Sequence, residues 1–108
     1  MKFVALLAAA LAATSAFANP PAAAPVSKGD PKAAESIVNQ VCAGCHAVDG
    51  NSAAAANPKL AGLNAEYLYK QLSNFKPKGG KPAERNNAVM MGMAAPLSDD
   101  DMKNVSVY

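Results

Sequence analysis

The chain has 108 residues and a formal net charge of +2, from ten basic and eight acidic side chains. Its lysines and arginines form no dense basic stripe, which excludes nucleic acid as a partner class. The length suits one small domain rather than two, and any account of it has to accommodate two cysteines and a single histidine.

The chain opens Met1-Lys2, continues with the apolar run Phe3 to Ala13, and reaches Ala16-Phe17-Ala18, a small-x-small pattern that a signal peptidase accepts. Residues 1–18 are therefore predicted to be a signal peptide, with Asn19 as the mature N-terminus. The run is shorter than the roughly 20 residues of a membrane-spanning helix, so a cleaved leader is preferred to an uncleaved anchor. Export would carry both cysteines into an oxidising compartment, where an unused pair of thiols tends to become a disulfide. The remaining 90 residues hold 21 among Val, Ile, Leu, Met, Phe and Tyr, a thin core. Domains of this size usually rely on a disulfide, a metal or a bound group.

Residues 19–29 are rich in Pro and Ala without apolar periodicity and are predicted to be a flexible arm, with the domain proper at 30–108. Asp30-Pro31 is an N-cap followed by proline at the first helical position, and Ala34, Ile37, Val38 and Val41 then recur at helical spacing up to Cys42. Turn formers from Asp49 to Pro58 predict a loop with at most a helical turn. Asn64 can cap a second helix whose stripe is Tyr67, Leu68, Leu72 and Phe75, with Glu66, Lys70 and Gln71 on the wetter side. Pro77 and Gly79 stop it.

Lys76, Lys78 and Lys81 lie among prolines and glycines and are expected in a solvated loop, with a docking role as the alternative. Residues 86–96 carry no clear helix signal and suit a strap. Ser98-Asp99-Asp100-Asp101 opens the last helix with a capping-box-like pair, and Leu97 can staple onto Met102. The aspartates favour the positive end of the helix dipole. The apolar face of Met102, Val105 and Tyr108 is still running at the end of the sequence, so this helix is expected to be either truncated or unusually short. No segment has strand periodicity, and the expected fold class is all-α.

Cys42-Ala43-Gly44-Cys45-His46 has the spacing of c-type haem attachment. Two thiols three positions apart can each add across one of two neighbouring vinyl groups, which holds the next residue, His46, under the iron. Its Nδ1–H then needs an acceptor to fix the ring, for which a backbone carbonyl between Asn57 and Leu60 is the candidate. A thiol redox site would want a thioredoxin-like βαβ context, and a zinc site a fourth ligand. Methionine sulfur is the usual second axial ligand in electron-transfer haems. Met102 reads as core filler. Periodicity does not choose among Met90, Met91 and Met93.

The order helix, Cys-x-x-Cys-His, Pro-Lys-Leu-Ala-Gly (58–62), Tyr-Leu-Tyr-Lys-Gln-Leu (67–72), Met-Met-Gly-Met and Leu-Ser-Asp-Asp-Asp-Met resembles a class I c-type cytochrome over about residues 28–108. More narrowly, it is similar to the haem domains of the periplasmic dihaem cytochrome c-four family and its monohaem relatives. The resemblance implies three main helices around one covalent haem c, with the first and last crossing. It implies Cys42 and Cys45 as thioether attachments, His46 and Met90 as iron ligands, the Pro58 carbonyl as acceptor for His46, and Arg85 as a partner for a propionate. The family's last helix normally runs further and no second Cys-x-x-Cys-His follows, so a second haem domain after Tyr108 is an expectation.

The function this implies is a periplasmic single-electron carrier, not an enzyme and without a small-molecule substrate. It would feed redox partner proteins in the periplasm or at the membrane, such as a terminal oxidase. The alternatives are a five-coordinate haem peroxidase or gas binder, and a thiol-disulfide enzyme without haem.

Overall fold

The computed structural model of the protein describes Val26 and residues 28–108. The predicted signal peptide and most of the predicted arm lie outside the described residues. Five α-helices follow in order: α1 (Pro31–Ile37), α2 (Ala43–His46), α3 (Ala65–Asn74), α4 (Ala88–Ala94) and α5 (Asp99–Val107), with a π-helical turn, Val38–Cys42, joining α1 to α2. Among the described residues the sole β feature is an isolated antiparallel bridge between Lys78 and Lys81. The fold is all-α.

The caps are local and side-chain driven. Asp30 accepts from the Lys32 N–H at 2.9 Å, with Pro31 opening α1. Asn64 accepts from Tyr67 at 3.2 Å and Asn87 from Met90 at 2.9 Å. Ser98 and Asp101 form a complete capping box, each side chain accepting from the other's backbone N–H, at 3.0 and 2.9 Å. Each such oxygen satisfies a first-turn donor that has no partner within its helix.

Helix α5 is the hub, packing on both α1 and α3. Met102 supplies its buried contact at 5% exposure, with Leu97 also buried. The chain meets α5 before α1 begins: the Asp30 N–H donates to the Asn104 side chain at 2.7 Å. A Cβ on Gly29 would lie 2.5 Å from the Lys103 carbonyl oxygen and 2.7 Å from Val107, so only glycine permits this approach. Val26 is 4% exposed and its carbonyl accepts from Lys28 and Gly29. The packed chain therefore reaches back to Val26, inside the stretch read as an arm. Across α3 and α5 the Tyr69 hydroxyl donates to Asp99, whose carboxylate also pairs with Lys103 at 2.6 Å. Lys103, and then Tyr69, hold the Asp99 carboxyl below its ordinary range.

Two expectations are corrected. Residues 88–94 are a helix rather than an extended strap: Asn87 caps it, and alanine and methionine outweigh the cost of Gly92 in so short an element. Lys76 is not solvated with Lys78 and Lys81 but donates to the Leu97 carbonyl, tying the end of α3 to the start of α5.

Removing the Ser98 cap by Ser98→Ala should cost about 1 kcal/mol, read as a lower urea midpoint. Asp101 gives a pH test of the same cap. The Ser98 backbone N–H and then its side chain hold the Asp101 carboxyl below its ordinary range. A carboxyl depressed on folding stabilises fully above its unfolded pKa, and that contribution is lost as pH falls through the folded value. Urea midpoints of the native protein and Asp101→Asn should differ at neutral pH and converge in that acid window.

Candidate haem site

The π-helical turn decides how the cysteine motif is presented. Its wider turn shifts the phase of the helix just before Cys42, and Val38, Val41, Cys42, Cys45 and His46 all line one cavity of about 1020 Å³. Such a turn inside an α-helix commonly marks a functional site. The walls are mostly apolar and come from the π-helical turn and from α2, α3, α4 and α5, while α1 contributes none. The expected α3 stripe of Tyr67, Leu68, Leu72 and Phe75 faces the cavity, Val89, Met90 and Met93 face it from α4, and Val105 from α5.

His46 is buried at 7% exposure. Its Nδ1 lies 2.8 Å from the Pro58 carbonyl oxygen. A carbonyl only accepts, so Nδ1 carries the proton and donates it, leaving the Nε2 lone pair free. The loop between them is held by its own backbone: the Ser52 N–H donates to the His46 carbonyl at 2.9 Å, and Leu60 and Ala61 both donate to the Gly50 carbonyl. Cys42 is half-buried and Cys45 exposed. Burial pushes the Cys42 thiol pKa up.

Met90 and Met93 are three residues apart on one face of α4 and share the cavity, whereas Met91 does not line it. Arg85 is at the wall: its guanidinium lies 4.6 Å over the Phe75 ring, Nη1 donates to Gln71 at 3.0 Å, and its backbone N–H donates to the Asn74 carbonyl. Gln71, expected on the wetter side of α3, thus lines the cavity and positions Arg85. The helical register at the edge of the stripe could have shown this. Gly50, Ser52 and Asn87 shape the site without a sequence motif, Asn87 by capping α4.

The donor set suits a haem. Two thiols stand at one side of a largely apolar cavity, an imidazole with a free Nε2 comes from one element, and thioether sulfurs come from another. These are the ligand types of an electron-transfer haem, and fold and site together define a c-type haem protein.

Comparison with known proteins agrees. The sequence model of the family Cytochrome c matches residues 31–108, and the chain belongs to that family. Cytochrome c4 of Thiocapsa roseopersicina is 44% identical over 80 residues, covering 74% of this chain and 38% of that protein. Cytochrome c-554(548) of Halomonas halodenitrificans is 35% identical over 83 residues, covering 74% of this chain and 93% of its own length. The crystal structure of reduced recombinant cytochrome c4 from Pseudomonas stutzeri superposes with a TM-score of 0.64 at 41% identity, covering 75% of this chain and 44% of that one. The chain spans about two fifths of the length of these cytochrome c4 relatives. It carries a cytochrome c domain of the class I all-α fold, related to the cytochrome c4 family, with covalently attached haem c as its cofactor.

Phe75 is 6% exposed, closes the cavity wall and carries Arg85. Phe75→Ala should destabilise the protein by about 3–5 kcal/mol, measured by urea denaturation of the haem-loaded chain.

Proposed function

We propose that the chain is a periplasmic single-electron carrier that passes electrons to a membrane-bound respiratory complex such as a terminal oxidase, and that it is not an enzyme. In this reading Cys42 and Cys45 would attach the haem, His46 and Met90 would hold its iron, and Arg85 would neutralise a propionate. The observation that carries it is the His46 bond to Pro58 at 2.8 Å, with a methionine pair facing the same cavity.

The half-buried Cys42 and the exposed Cys45 would hold the haem covalently through thioether bonds. When bound, the haem supplies a one-electron Fe(II)/Fe(III) couple. The Pro58 carbonyl holds the His46 ring so that Nε2 is presented as a ligand, and the bonded Nδ1–H makes that nitrogen more basic. A thioether as second ligand favours a higher potential than two nitrogens would. With His46 and Met90 both holding the iron, the protein would leave no place there for a small-molecule substrate and would need little rearrangement of its side chains between oxidation states. The apolar walls exclude water. Exposed Val48, Leu63 and Val89 are lining residues that also reach solvent, which supports brief contact with a redox partner there. The leader at residues 1–18 supports export.

Between Met90 and Met93, both on the cavity face, the family pattern favours Met90. The ferric protein should show the weak red absorption band of sulfur-to-iron ligation. Met90→Ala should abolish it and open the reduced protein to carbon monoxide, while Met93→Ala should keep it. A band that survives Met90→Ala would move the ligand elsewhere, and rapid carbon monoxide binding by the native reduced protein would favour a five-coordinate haem.

A further inference from the structure

We infer that Gly50 is a positioning residue for the axial imidazole, acting through the Pro58 carbonyl; the inference rests on His46 being an iron ligand. The hydrogen bonds around His46 form a closed circuit. Its ring donates to Pro58 at 2.8 Å, and its own carbonyl accepts from Ser52 at 2.9 Å. Within the turn between His46 and Ser52, the Gly50 N–H donates to the Ala47 carbonyl at 3.1 Å. The Gly50 carbonyl then accepts twice, from Leu60 at 2.8 Å and from Ala61 at 3.0 Å. One residue, Lys59, separates Pro58 from Leu60. The Gly50 oxygen therefore fixes the peptide next to the one that holds the ring, and couples the backbone of the histidine to the acceptor of its side chain.

A side chain at residue 50 would crowd the backbone that this oxygen holds. Gly50 has φ +72°, and a Cβ there would stand 3.0 Å from the Ala61 nitrogen and 3.4 Å from its Cα. Any substitution pushes on the strand of backbone that presents the Pro58 carbonyl. The same turn already holds two non-glycine residues at positive φ, Ala47 at 63° and Ser52 at 37°, and Ala47 has ψ 157°, a combination that mostly glycine adopts. The segment has little slack to absorb a further displacement, so it passes to residues 58–61. A longer or bent bond from Nδ1 makes the imidazole a poorer donor and stabilises ferric iron less.

The test uses the full-length haem-loaded protein and three variants. Gly50→Ala adds both the φ strain and the Cβ contact. Gly50→Asn adds the same contact with a residue that tolerates positive φ, which keeps the test open if the alanine variant folds poorly. Gly79→Ala is the control, since Gly79 has φ +56° and a Cβ there meets nothing within 4 Å. Both Gly50 variants should show a more positive reduction potential and shifted g-values in the ferric electron paramagnetic resonance spectrum. Gly79→Ala should lose stability at the native potential and g-values. Native potential and g-values in both Gly50 variants would overturn the inference and leave Gly50 as a turn residue alone. A native protein whose ferric spectrum lacks a low-spin imidazole-ligated signal would instead overturn the ligand assignment of His46, and the inference with it.

Discussion

The bond from His46 Nδ1 to the Pro58 carbonyl sets the terms for the rest of the site. One 2.8 Å contact decides the tautomer, points the opposite nitrogen into the cavity and draws the 47–63 loop against the cysteine motif. Loss of that acceptor would leave a buried imidazole with an unsatisfied donor, costing about 1–3 kcal/mol, a large share of the stability of so small a domain. The loop contains no regular element, so backbone hydrogen bonds to Gly50 and His46 substitute for one.

The second organising feature is the use of α5 as a common support. It accepts α1 on one side and α3 on the other, and it is tied by polar contacts at its start and along its length: Lys76 to Leu97, Tyr69 to Asp99, and Asp30 to Asn104. Few large side chains are buried, and the wide cavity takes the place a conventional core would occupy. A haem supplies the apolar bulk that the alanine-rich composition lacks, consistent with the reliance of small domains on bound groups.

Much of this was legible in the sequence wherever chemistry fixes a spacing. Cys42, Cys45 and His46 are readable because two vinyl groups and one iron dictate their separation. Asp30, Asn64 and Ser98 are readable because capping needs a short polar side chain at one position. What escaped was of two kinds. Helix α4 is only seven residues with a glycine inside, too short for periodicity to register, and the choice between its cavity-facing methionines and Met91 depends on that helix existing. The Gly50 contacts, the reach of Lys76 and the burial of Val26 depend on backbone groups or distant segments, which leave no local pattern.

The clasp between Asp30 and Asn104 joins residues 74 positions apart. Closing so long a loop early in folding is entropically unfavourable, and α1 gains its main helical partner only once the last residues of the described chain are in place. Until then the segment bearing Cys42, Cys45 and His46 is a helix without its support. The N-terminal helix and the cysteine motif that follows it thus owe their packing to the far end of the described chain.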